Sequence, residues 1–81
     1  MMNAIQEIDL HGCNLNEARD ALDEVLRRAD MSVYRVRVIH GFNNGTAIQE
    51  MIRREYRLHY KVIRVCRGPA SGQTDLVLRE Y

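Results

Sequence analysis

Asp9 and His11 stand two residues apart in Ile8-Asp9-Leu10-His11-Gly12, and a second imidazole, His40, precedes Gly41 in Val36-Arg37-Val38-Ile39-His40-Gly41-Phe42-Asn43-Asn44-Gly45-Thr46. Two-residue alternation on a strand points Asp9 and His11 to one face. Each histidine is followed by glycine at the end of a β-branched or alternating run, so in a parallel sheet both His-Gly pairs lie at the carboxyl ends of their strands. That is the edge where open α/β sheets hold their sites. Asp9, His11 and His40 are therefore the candidate catalytic group. A carboxylate beside imidazoles suits general acid/base chemistry near neutral pH, such as cleavage of a phosphodiester. On the other reading, a His-Gly pair only caps strand-end carbonyls and Asp9 bonds a loop amide.

The five residues Gly41, Phe42, Asn43, Asn44 and Gly45 make the turn that follows, and two Gly and two Asn are the types that best accept positive φ. Thr46 reads as a helix N-cap, with Gln49 completing a capping box. A strand, a tight polar turn and a helix start direct free N–H groups and the positive end of a helix dipole at one spot, which suits an anion such as phosphate. The spacing is not that of a P-loop, since no Gly-Lys-Ser/Thr follows, and the three-glycine dinucleotide fingerprint is missing. The plain alternative is a βα corner made by its glycines. His11, Cys13 and His40 lack paired metal-ligand spacing, and no metal site is assigned. His59, near the end of the second helix, reads as structural.

These residues need a frame. Ile5 to Leu10 reads as a first strand, with Ile8 and Leu10 opposite Asp9 and His11. Asn14 caps a helix with Glu17 as reciprocal partner; Leu15, Ala18, Leu22, Val25, Leu26 and Ala29 form its apolar stripe, and Asp20, Asp23, Glu24 and Arg27 its outer face. In the second strand Tyr34, Val36, Val38 and His40 share one face, and Val33, Arg35, Arg37 and Ile39 the other. The second helix buries Ile48, Met51, Ile52 and Tyr56 and exposes Arg53, Arg54 and Arg57. Tyr60 to Cys66 is the third strand, the Gly/Pro-rich stretch 67–73 a loop, and Thr74 to Leu78 the fourth strand. The order βαβαββ predicts an α/β, two-layer fold. Its mixed four-stranded sheet carries both helices on one face, with the last two strands antiparallel.

The 81 residues make one domain with one small core, burying roughly 60% of the unfolded surface. No apolar run approaches the roughly 18 residues of a membrane span, and no signal-peptide core precedes the first strand. Two cysteines without a metal or disulfide pattern read as free thiols in a reducing cytoplasm. The net charge of +1 is uneven: residues 1–31 carry seven acids and three arginines (−4), and residues 32–81 carry nine bases and four acids (+5). Arginine supplies eleven of the twelve bases. Its planar fork matches phosphate and guanine edges, which favours a nucleic-acid partner over a merely solvated basic face.

The Asp9-Leu10-His11-Gly12 motif, His40-Gly41 opening a Gly/Asn turn before a helix, and Gly72-Gln73-Thr74 before Leu76 and Leu78 together resemble the Smr (small MutS-related) domain over essentially the whole chain. The resemblance implies a fold similar to the C-terminal domain of translation initiation factor 3. It also implies binding of DNA or RNA, and an endonuclease that nicks DNA or cleaves RNA by metal-assisted or acid/base chemistry, with Mg²⁺ as the metal to consider. It places Asp9 and His11, then His40, Gly41 and Gly45, in the functional cluster, with Gly72 and Thr74 on a third side. Phe42 and Asn43 stand where the family usually has a basic residue and a glycine, and Ala70 and Ser71 where it has a glycine pair. These changes weigh more against cleavage than against binding, and Phe42 suits stacking on an exposed base. Arg35, Arg37, Arg53 and Arg54 are the expected phosphate-backbone contacts, each adding about −0.9 to the salt slope on duplex DNA. The rivals are a non-catalytic module binding nucleic acid, the ribosome or a larger repair or translation assembly, and a protein-interaction domain using the acidic first helix. Oligomeric state is left open.

Overall fold

Alternation in the first strand and the β-branched run of the second produce two parallel neighbours, β1 (Ala4–Asp9) and β2 (Val33–Ile39). The computed structural model describes residues 4–42 and 45–80. Between these strands runs α1 (Leu15–Arg28), and after β2 come α2 (Gly45–Glu55), a 3₁₀ turn (Tyr56–Leu58), β3 (Arg64–Arg67) and β4 (Gln73–Val77). The sheet order is β1-β2-β4-β3, with β4 antiparallel to both its neighbours. This is the mixed βαβαββ sheet the sequence predicts.

The start of α1 follows local chemistry. The Asn14 side chain accepts from the Glu17 amide at 2.8 Å, and the Glu17 carboxylate accepts from the Asn14 amide at 3.0 Å. Two donors that helix geometry orphans are thereby satisfied. Ala18, Leu22, Val25 and Leu26 of α1 and Ile48, Met51 and Ile52 of α2 meet Val36, Val38 and Leu76 of the sheet in one core. Both helices thus lie on one side, where Tyr56 is also buried. The bidentate Arg19–Glu55 pair, at 2.9 Å for each bond, ties α1 to α2. No helix of the described residues is long and apolar enough to cross a membrane. Cys13 and Cys66 are free and half-buried.

Three expectations are corrected. The third strand starts at Arg64 and not at Tyr60. The stretch before it turns: the Val62 amide donates to the His59 carbonyl at 2.9 Å, and Lys61 Nζ donates to the Leu26 carbonyl at 2.6 Å at the end of α1. Capping those carbonyls and burying Val62 outweigh the β propensity of the run. Second, α2 begins at Gly45, so Thr46 lies inside its first turn and is not the cap. Third, β1 and β4 each begin one residue earlier than expected, although Leu10 still donates to the Ile39 carbonyl (2.7 Å) and Leu78 to that of Tyr34 (2.8 Å).

The sheet face away from the helices holds an ion cluster. Asp75 of β4 is fully buried, and it accepts from Arg35 at 2.9 Å and from Arg37 at 3.0 and 2.9 Å. The carboxylate holds the Arg37 guanidinium above its already high range, mainly through these hydrogen bonds.

Candidate functional site

The carboxyl ends of β1 and β2 lie side by side, and the residues singled out in the sequence gather there. Asp9 Oδ1 accepts from the His11 amide at 3.1 Å and lies 2.6 Å from His11 Nδ1. Hydrogen bonding from the His11 ring and then from its amide holds the Asp9 carboxyl below the usual carboxylate range. An ionised carboxylate on Nδ1 requires the ring proton there, which leaves the Nε2 lone pair directed outward. The pair stands in solvent, with side-chain exposures of 73% for His11 and 53% for Asp9, so Nε2 is accessible to an incoming group.

His40 is different. It is 3% exposed, its Nδ1 lies 3.0 Å from the Gly41 carbonyl, and its Nε2 lies 2.8 Å from the Thr74 hydroxyl. A carbonyl only accepts, so the proton sits on Nδ1 and Nε2 accepts from Thr74. Both ring nitrogens are committed, and the ring ties the end of β2 to β4. Thr74, expected on the nucleic-acid surface, is fully buried because alternation along β4 turns it inward beside Leu76.

Beside His40, the amides of His40 and Gly41 both donate to the Gly72 carbonyl, at 2.9 and 3.0 Å. Gly41 and Gly72 have φ of +73° and +77°, and a Cβ on Gly72 would lie 3.1 Å from Gly41 Cα. The positive φ at both positions and the tight approach at Gly72 favour glycine in each loop. A Cβ on Gly41 would lie 3.7 Å from that of His11, which puts the Asp9–His11 pair at the rim of the same structure. Replacing Gly72 with Ala is expected to cost about 1–2 kcal/mol from the left-handed backbone alone. Urea unfolding measures this, and an unchanged midpoint would contradict the close packing.

These loops enclose a cleft of about 370 Å³ lined by His40, Gly41 and Phe42, by Thr46 and Gln49 of α2, and by the loop from Arg67 to Gln73. Phe42 is 74% exposed at its mouth. The sequence reading took most of that loop as a plain connection and missed Arg67, Thr46 and Gln49 as lining residues; the Gly68-Pro69 and Gly72 turn signals were the visible cue. Asn43 and Asn44, expected in the phosphate cradle, lie outside the described residues, while Gly45 begins α2.

The expected arginine contacts divide. Arg35 and Arg37 sit on the helix-free face with side chains only 23% and 19% exposed, bound to Asp75, and are not brought to the cleft. Arg53 and Arg54 are exposed on the last turn of α2. No cluster of three or more His, Cys, Asp or Glu side chains able to hold a metal occurs among the described residues.

The chain is similar to known proteins over most of its length. The family model described as the Smr domain matches residues 8–76. The crystal structure of the Smr domain of Thermus thermophilus MutS2 superposes with a TM-score of 0.80 at 29% identity, covering 93% of this chain and 99% of that one. No curated protein matches the chain.

Proposed function

Since the chain belongs to the Smr domain family, a family of nucleic-acid-binding and nuclease-associated domains, we propose that it binds nucleic acid at the 41–45 turn and cleaves a phosphodiester with His11 as general base. The observation that carries this is the exposed Asp9–His11 pair at 2.6 Å on the rim of the glycine-built cleft. Asp9 orients the ring and stabilises the imidazolium. His11 Nε2 takes the proton of the attacking hydroxyl, from the ribose 2′-OH in RNA or from water on DNA. As the new P–O bond forms, the bond to the 5′-oxygen breaks, and that oxygen leaves with a proton from solvent. His40 positions the Gly41 turn through Thr74 and Gly72 and holds no free lone pair for the reaction. Phe42, exposed at the mouth, stacks on an unpaired base.

The test is incubation of the purified protein with structured single-stranded RNA and with supercoiled DNA. Cleavage of either by the wild type supports the reading, and the preferred substrate decides between RNA and DNA. Salt-dependent binding without cleavage in the presence or absence of Mg²⁺ would replace it with a binding module. Absence of binding would remove nucleic acid altogether and leave the acidic face of α1 as the surface to pursue.

A further inference from the structure

A second hollow lies below the cleft, along the same side of α2. It measures about 550 Å³ and is lined by Arg53, Arg57, Leu58, Ile63, Arg64 and Val65. The α2 and 3₁₀ residues that line the two hollows, Thr46 and Gln49 in the cleft and Arg53 and Arg57 below, recur at helical spacing, so they form one stripe facing the edge strand β3. The strand contributes at both levels, Arg67 to the cleft and Arg64 to the lower hollow. The cleft and the hollow thus follow one another along the side of α2 that faces the sheet edge, here called the α2–β3 groove.

The charges of this groove are uncommitted. Arg53, Arg57 and Arg67 form no ion pair among the described residues. Arg64 pairs with Glu80, but both side chains are about half exposed, at 53% and 54%, and such a pair exchanges readily for another anion. Among the cations stand exposed apolar side chains: Leu58 is 77% and Ile63 56% exposed. Cations beside exposed apolar side chains match a strand that offers phosphates and unpaired base faces together, whereas a duplex hides its base faces. Thr46 to Arg57 spans about 17 Å, at roughly 1.5 Å per residue in α2 and 2 Å in the 3₁₀ turn. That accommodates roughly four or five nucleotides of a stacked strand at about 3.4 Å each.

We propose that the α2–β3 groove is the track of a single strand of nucleic acid that enters the cleft at Phe42 and leaves over Arg53, Arg57 and Arg64. This deepens the function proposed above and rests on it. The strand's phosphates pair with the guanidiniums, and its bases lie over Leu58 and Ile63. The arrangement extends binding beyond the phosphate at the cleft and selects substrates with an unpaired stretch on one side of the scissile bond.

The experiment is fluorescence anisotropy with labelled oligouridylates of increasing length, over a salt series. The proteins are wild type, Arg53→Ala/Arg57→Ala, and the charge-matched control Arg27→Ala/Arg28→Ala on the outer face of α1. Wild-type affinity is expected to climb with length and level off once the groove is full. The groove variant levels off at a shorter length, and its salt slope falls by about 1.4 for two lost contacts to a single strand. The control keeps the wild-type slope. Identical length and salt dependence in wild type and groove variant would overturn the track while leaving binding at the cleft intact. Tighter wild-type binding to a duplex of equal length would overturn the single-strand assignment. Failure of the wild type to bind any oligonucleotide would instead strike the proposed function itself. Arg53 and Arg57 are exposed and form no ion pair among the described residues, Arg27 and Arg28 are exposed and pair on the surface with Glu24, and an unchanged melting curve confirms that each variant is folded.

Discussion

Replacing His11 with Ala is expected to lower phosphodiester cleavage by roughly 10²–10⁴-fold, the range for loss of a positioned general base. The side chain is 73% exposed and its side-chain partner among the described residues is Asp9, so the melting temperature should barely move. Surface changes of this kind stay within about 0.5 kcal/mol. Asp9→Asn retains shape but removes the charge that keeps the proton on Nδ1, and it should lose activity without losing the fold. His40→Ala gives the contrast. That ring is buried and bridges Gly41 and Thr74, so its removal leaves the Thr74 hydroxyl without its partner and should reduce stability and activity together. Rate and melting temperature measured for all three variants separate the roles. A His11→Ala protein that cleaves at the wild-type rate would remove His11 as the base, and a stable but inactive His40→Ala protein would move that role to His40.

The largest effect on stability is expected at a residue far from this chemistry. Asp75 is fully buried beneath Arg35 and Arg37, and Asp75→Ala leaves two half-buried guanidiniums facing each other without a counter-charge. Breaking a buried pair by removing one partner costs about 3–5 kcal/mol. In a domain of this size that is a fall in Tm of roughly 12–40 °C. Replacing Asp75, Arg35 and Arg37 together by apolar residues of similar volume should recover most of the loss, because the desolvation cost of the charges disappears with them. Thermal unfolding of the single and triple variants tests this. A single variant within about 0.5 kcal/mol of wild type would show the cluster to be solvated in solution.

These outcomes divide along a line between local and long-range physics. The βαβαββ order, the apolar stripes of both helices, the Asn14–Glu17 capping box and the pairing of Asp9 with His11 were all legible in the chain. Each depends on residues within a few positions of one another, where alternation, helical spacing and an i, i+2 hydrogen bond operate. The neighbouring His-Gly strand ends were legible as well, since right-handed crossovers leave little choice of topology. The different fates of the two histidines were not. Only the fold sets Thr74, more than thirty residues away in sequence, against His40 Nε2, while the adjacent Gly41 carbonyl takes Nδ1 and His11 stays in solvent. The arginines diverge for the same reason. Arg35 and Arg37 read like Arg53 and Arg57 in a basic half-chain, but antiparallel pairing of β2 with β4 brings Asp75 opposite Arg37 and withdraws the first two from the surface. The turn at 60–63 took its form from the end of α1, whose carbonyls Lys61 caps, a contact that β propensity in the run could not reveal. Residue type and spacing thus settled what each segment could offer, and tertiary pairing settled which nitrogen, which hydroxyl and which guanidinium remained free.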